Sequence, residues 1–339
     1  MRPFLSRLLR SRRPLLPAAM LPTALLLAAL PCAVCAQSGA WPHGPITIVQ
    51  TFTAGSGIDV IMRTVQEPMQ QALGVPLVMD YRPGAGGNVA SELVAHAKAD
   101  GQTLLLGTSA THGVNATLYK KLPFDVEADF TAIGSIADIS NALTVNPDQL
   151  DVKTVREFID KVKAAPGKYN YASTGNGTGT HLAFAEFLSK TGLSMVHIPY
   201  KGGPEALQGV LKGDVCCIFN QVQTILPQYR AGKVRLLGVT TKTRVGVIPE
   251  VPTIAEAGVP GFESYIWTGL FAPKGLDTQI AVKINAAIRM ALEVPAVRQK
   301  LIDLGNTPRA ETVEQFRATV KADRAKWAEV VKASGASVD

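Results

Sequence analysis

Apolar residues recur along this chain in two rhythms that alternate from about residue 46 onward. Seven-residue runs rich in β-branched and aliphatic side chains, Ile46–Phe52, Val75–Tyr81 and Gln102–Thr108, read as strands. Between them the apolar positions fall three or four apart. Ile58, Ile61, Met62, Val65 and Met69 share one such face, so Ile58–Leu73 reads as a helix that Gly74 stops and Pro68 weakens locally. After a turn at Pro83–Gly87, Val89–Lys98 reads as a shorter helix, and Asp100-Gly101 turns the chain into the third strand. This β-α-β-α-β order predicts a mostly parallel sheet with flanking helices on both faces.

A loop from Ser109 to Phe130 follows, and the alternation resumes at Thr154. With Glu157 three residues on, Thr154 forms a capping-box signature and opens a helix whose Val155, Phe158, Ile159 and Val162 share a face. Strand Lys168–Ser173, helix His181–Ser189, strand Ser194–Tyr200, a helix from Pro204 to near Gly213, and strands Val215–Phe219 and Val234–Thr240 complete a second α/β lobe. The remainder is mainly helical: Thr278–Leu292, Ala296–Leu304 and Thr312–Ser334, the last with a capping box in Thr312 and Gln315. These helices have too few strands for a lobe of their own and are expected to return to the first. The predicted organisation is a two-lobed α/β protein. Residues 37–143 plus 241–339 form the first lobe and 144–240 the second. Crossings near Leu143–Pro147 and Gly238–Thr243 form a hinge.

Residues 1–36 stand apart. Arg2, Arg7, Arg10, Arg12 and Arg13 precede an apolar run from Leu15 to Leu30, and Val34, Cys35 and Ala36 precede Gln37. A positive start, an apolar middle and a small residue at the end describe a secretory signal peptide cleaved near Ala36, and hence a periplasmic protein. Left uncleaved, the segment would be a membrane anchor, although Pro17 and Pro22 interrupt it. Ser11-Arg12-Arg13 also fits a twin-arginine signal, so the export route stays open. The whole chain carries a net charge of +7; without the five arginines of this segment it carries +2, which removes the case for nucleic acid or an anionic membrane as partner. The two cysteines left, Cys216 and Cys217, are adjacent and read as small buried hydrophobes rather than a redox pair.

None of the five histidines lies in a metal-ligand spacing, no nucleophile elbow occurs, and no phosphate-loop or dinucleotide fingerprint is complete, so no cofactor and no metal are expected. His96 and His197 read as structural, whereas His112 and His181, in loop-to-helix regions, are candidates for a site. The informative features are two glycine- and hydroxyl-rich loops that each join a strand to a helix. The first comprises Phe52, Thr53, Ala54, Gly55, Ser56, Gly57, Ile58 and Asp59. The second comprises Ser173, Thr174, Gly175, Asn176, Gly177, Thr178 and the helix start to His181. Such loops are common in parallel sheets. One in each lobe, facing a cleft, favours anion binding by the free N–H groups and dipole of a helix N-terminus.

Ordered motifs along the chain carry a resemblance. Tyr81–Asn88 (YRPGAGGN), Leu118–Asp125 (LYKKLPFD), Tyr171–Thr178 (YASTGNGT), His197–Gly202 (HIPYKG) and Val251–Gly258 (VPTIAEAG) make the chain resemble the Bug family, extracytoplasmic solute receptors of tripartite tricarboxylate transporters, from Trp41 to Ala336. The resemblance implies a Venus-flytrap, type II-like periplasmic binding protein without catalytic activity. Its ligand would be a small carboxylate held by main-chain donors and bridging waters, and its partners the membrane transporter subunits. A monomer is expected. Thr108, Ser109 and Asn220 join the two loops as implied ligand contacts. The first loop departs from the family's usual PFAPGGGTD: Thr53 and Ser56 add hydroxyls and Ile58 removes one. Asn220 and Cys216 stand where the family often has aspartates; losing the first makes an amino acid a poorer ligand. The same site would also serve a ligand-sensing module for a membrane sensor kinase. An exported enzyme on a small acid would have only Asp59, His112 or His181 for acid–base work.

Overall fold

A computed structural model describes residues 41–338, so the signal-peptide reading of residues 1–36 lies outside them. The first five strands and helices follow the predicted alternation: β1 (Ile46–Gln50), α1 (Gly57–Leu73), β2 (Leu77–Tyr81), α2 (Asn88–Ala95) and β3 (Thr103–Thr108). β2, β1 and β3 lie side by side in parallel, with Val49 between Asp80 and Leu105. Helix α1 continues through Pro68 because its apolar face holds it down: Ile58, Ile61, Met62, Val65 and Met69 are all buried in one core with Ile46, Ile48 and Leu104. Gly74, at φ +74°, closes it by donating to Gln70 O at 2.8 Å.

The stretch after β3 is not plain loop. A π-turn at Ala110–Val114 and α3 (Asn115–Leu118) precede β4 (Phe130–Val145), a 16-residue strand on which the architecture turns. Its first part pairs antiparallel with β9 (Tyr265–Pro273), which lies antiparallel to β3 and completes the first sheet with β10 (Asn306–Pro308) on β4. Its last part, from Asn141, pairs with β7 (Cys217–Gln221) and β8 (Arg235–Val239). β7, β5 (Asn170–Ser173) and β6 (Val196–Pro199) are again parallel. Helices α4 (Val155–Lys163), α5 (Gly179–Thr191), α6 (Gly203–Lys212) and α7 (Val222–Arg230) flank this second sheet. The Thr154 hydroxyl caps α4 by accepting from Glu157 N at 3.1 Å, while the Glu157 carboxylate reaches past it to Lys153 N, so the predicted box is half formed.

The partners of β4 change between Ser140 and Asn141, and Ser140 lies beside Tyr265, where the chain re-enters the first sheet. Thr240 ties the junction: it donates to Asn141 O at 2.9 Å and accepts from Ser264 N at 2.8 Å. Residues 241–264, grouped by the sequence with the first lobe, send Ile254, Val259 and Phe262 into the second core with Phe158, Phe187 and Phe219. Val245, Ile248 and Val251 pack with Val222 and Ile225 of α7. Helices α8 (Thr278–Glu293) and α9 (Pro295–Asp303) return to the first core, as expected. Helix α10 (Val313–Ser334) starts on the opposite face of the first sheet, where Phe316 and Val320 pack with Trp267 and Phe271, behind a complete capping box at Thr312 and Gln315. No helix among the described residues is long and apolar enough to cross a membrane.

Candidate functional site

Each Gly-rich loop leaves the carboxyl edge of its sheet and is fastened from within. In the first, the Asp59 carboxylate accepts from Gly55 N at 2.8 Å, Tyr81 OH at 2.9 Å and Arg63 Nε at 3.1 Å. This folds the loop back over the start of α1, with Gly55 in the left-handed region at φ +77°. Asp59 is therefore buried and committed to the loop, and it neutralises the neighbouring guanidinium. Ser56 is the N-cap of α1 but its hydroxyl makes no capping bond; Ser56 Oγ is buried without a partner among the described residues. The first-turn N–H groups of Gly57, Ile58 and Asp59 thus keep their donor capacity. β3 runs beside β1 with Leu106 at Gln50, so Thr108 and Ser109 end, both buried, at the same edge as this loop.

The second loop is held by a hydroxyl cluster. Thr180 Oγ1 accepts from Thr174 N at 2.9 Å and lies 2.9 and 3.1 Å from the hydroxyls of Thr174 and Thr178. Thr178 donates to Gly175 O at 2.7 Å instead of capping α5, so the first turn of that helix is uncapped as well. Ser173 Oγ hydrogen-bonds His197 Nε2 at 2.6 Å, and His197 stacks on His181 with ring centres 4.0 Å apart. His181 Nδ1 accepts from Gly177 N at 3.0 Å, which requires a neutral ring. Burial, followed by the neighbouring His197, agrees by lowering the His181 pKa to about 4. The imidazoles are a rigid backing for the loop, not proton carriers at neutral pH. Asn176 is exposed at the tip, and Gly177 is turned inward against Leu118 of α3.

The segment Asn220–Gln223, at the end of β7 and the start of α7, joins the two loops. Asn220 Oδ1 accepts from Gln221 N at 2.8 Å, which leaves Nδ2 buried and without a partner among the described residues. Gly203 has Asn220 Oδ1 and Thr174 Cγ2 as neighbours, so Asn220 sits by the second loop. Gln223 Nε2 donates to Gln221 Oε1 at 3.1 Å, and both side chains lie over Gly57 of the first loop; a Cβ on Gly57 would come within 2.1 Å of Gln223 Nε2. The side-chain amide of Asn141, paired to Gln221 across the ladder, is buried and also lacks a partner among the described residues. Unpaired buried polar atoms are costly and call for something to pair them. Neither loop contains an arginine or lysine, so an anion here would meet main-chain amides and neutral side chains.

Two predicted contacts need correction. The Ile58 side chain packs into the first core, because it is the leading position of the apolar face of α1; only its N–H faces the loop. His112 is turned inward by the π-turn and stacks on Phe271 at 3.8 Å with Phe130 edge-on at 4.7 Å. It has no exposed surface and, with Arg324 as a lesser cause, burial drives its pKa to about 3. Thr180 lies within the second loop as the sequence delimits it, and His197 supports that loop as a structural residue. The sequence reading does not include Gln221 and Gln223, which nothing local marks.

A family model described as the tripartite tricarboxylate transporter family receptor matches residues 61–336. Protein BugT of Bordetella pertussis is 33% identical over 299 residues, covering 88% of this chain and 91% of that protein. Among solved structures, Rpa4515 of R. palustris with adipate is 32% identical with a TM-score of 0.78, covering 88% of this chain and 99% of that one. MatC of Rhodopseudomonas palustris, with bound malate, is 32% identical with a TM-score of 0.73, covering 86% and 99%. These likenesses establish the two-domain periplasmic binding protein fold for this chain.

Proposed function

Because the chain belongs to the tripartite tricarboxylate transporter receptor family, we propose that it captures a small organic carboxylate between its halves and delivers it to the membrane subunits of such a transporter. The family's members are periplasmic solute receptors rather than enzymes. One observation carries the reading: two Gly-rich loops, one from each half, each open a helix with an uncapped first turn and meet around Asn220–Gln223. The two sets of amide donors and helix dipoles favour a carboxylate without any cationic side chain. Asn220 then offers an N–H rather than a carboxylate to the rest of the ligand, which suits an oxygen acceptor better than an ammonium group. A dicarboxylate or hydroxy acid fits this better than an amino acid, in keeping with the adipate and malate of the relatives.

In this reading the first lobe comprises residues up to about 140 and from 265 on, and the second 141–264, a boundary that follows the packing of residues 241–264. Closure about the Ser140–Tyr265 pair requires only that the ligand bind the closed form better. The protein works in the periplasm as a monomer after cleavage near Ala36. The test is a thermal-shift screen with adipate, malate, other dicarboxylates, monocarboxylates and amino acids, on wild type and Asn220→Asp. A ligand at about a hundred times its Kd adds about 2.7 kcal/mol, or several degrees. A dicarboxylate should shift wild type and lose most of its shift in the variant. A shift with amino acids only would refute the assignment.

A further inference from the structure

Helix α10 is seated in the first half yet lies along a helix of the second. Its early turns bury Phe316 against Gly269, Trp267 and Phe271 of the first sheet. Asp323 then takes hydrogen bonds from Trp267 Nε1 at 2.8 Å and Trp327 Nε1 at 3.0 Å, which fixes the helix to β9. Beyond that point it runs beside α5. There Leu182, fully buried, fits an apolar socket of Val114, Leu118, Trp327 and Val331, all from the first half. One turn further along α5, the buried Glu186 pairs with Lys326 at 3.1 Å. The end of the chain braces the socket wall, with Val338 N donating to Leu118 O at 2.9 Å.

These contacts bear on the second loop, because α5 is the helix that the loop opens. Gly177 in the loop is pressed on the same Leu118: a Cβ there would come within 2.3 Å of its side chain. Gly179, the first residue of α5, faces Ile266 of β9 in the same way, at 3.1 Å. The seam is otherwise open. A pocket of about 340 Å3, lined by Ala185, Ser189, Val330 and Ala333 among others, runs along it. The adhesion along α5 is therefore local: the Leu182 knob, the Glu186–Lys326 pair, the close approaches of Gly177 and Gly179, and the Lys326 ammonium donating to Glu263 O.

We propose that Leu182 and Glu186 form a clasp outside the cleft that holds the second loop at its closed distance from the first. They are positioning residues, not ligand contacts. The clasp rests on the two-lobed receptor reading only in that the halves must be able to part. Burying Leu182 favours approach whether or not a ligand is present, so the ligand-free protein already populates the closed form and binding has less ordering left to do.

The test uses spin labels on ligand-free protein, at cysteines replacing the exposed Gln71 of α1 and Lys233 ahead of β8. Wild type should give a predominantly short inter-label distance. Leu182→Ala should lower the ratio of short to long distances by roughly tenfold, and Glu186→Gln, which keeps the shape and removes the charge, should lower it in the same direction. Circular dichroism checks that each variant is folded; if Leu182→Ala is not, Glu186→Gln decides. Equal distributions in wild type and the folded variants, all short or all long, would overturn the clasp. Because no ligand is added, the result is independent of the thermal-shift screen, and a failed screen leaves it standing.

Discussion

Replacing His112 separates a core residue from a binding one, and pH provides the lever. In the folded protein His112 is packed between Phe130 and Phe271 with a pKa lowered to about 3, whereas in the unfolded chain a histidine titrates near 6.5. A group whose folded pKa is depressed loses stability as pH falls, because only the unfolded state gains the proton. The loss starts near pH 6.5 and is complete near pH 3. At pH 5 the unfolded chain is about 1.5 pH units below its pKa, so His112 costs about 2 kcal/mol relative to pH 7. Leucine fills a comparable volume and cannot titrate. Thr111 Oγ1, which meets His112 Nδ1 at 2.9 Å, keeps its bond to Thr108 O at 3.0 Å. Other groups oppose the trend: burial raises Asp138 to about 7 despite the adjacent Arg309, so it gains stability as pH falls. Comparing wild type with His112→Leu cancels them. Urea unfolding of both at pH 7, 6 and 5 should show the variant gaining about 2 kcal/mol on wild type across that range, with ligand affinity at pH 7 little changed. A difference that stays flat with pH would place His112 in contact with solvent and restore it as a site candidate.

Two further substitutions address the second loop. Gly177→Ala imposes a left-handed conformation on a residue with a Cβ and pushes that carbon into Leu118. It should cost about 1–2 kcal/mol in unfolding free energy and weaken the selected acid roughly tenfold by calorimetry; unchanged affinity would remove the loop from the site. Thr180→Val deprives Thr174 N and two hydroxyls of their common partner, an unpaired-donor penalty of about 1–3 kcal/mol concentrated in the loop. Affinity should drop while the denaturant slope stays as in wild type, and a variant that binds normally would show the hydroxyl cluster to be dispensable.

The parallel parts of both sheets were legible because each strand and helix there carries its own period and its own stop. The apolar face of α1 overrode Pro68, and Thr312 with Gln315 announced the last helix. β4 escaped notice because it is buried on both faces and peppered with Gly134, Ser135, Ser140 and Asn141, which erase the alternation of a half-buried strand. β9 was missed for the same reason, Trp267 and Phe271 entering one core while Leu270 and Ala272 enter another. The grouping of residues 241–264 with the first lobe follows from those omissions, although Ile254, Val259 and Phe262 pack with Phe158, Phe187 and Phe219. Both loops could be read from glycine and hydroxyl content. Their fastening could not, because the partners of Ser173 and Gly57 are a histidine on the next strand and a glutamine on another helix.

The antiparallel pairing of β9 with β3 and β4 also dictates an order of assembly. The second half is one uninterrupted stretch of chain, so its strands can pair as soon as residue 264 is available. The first half cannot: Leu105 must wait for Phe271, and β4 for both β9 and β10. Long-range pairings of this kind form slowly. A chain delivered amino-terminus first therefore holds β1, β2 and β3 as an unfinished sheet with an open edge, beside a second half that is already able to fold. The chain's last quarter, from Tyr265 on, closes that edge.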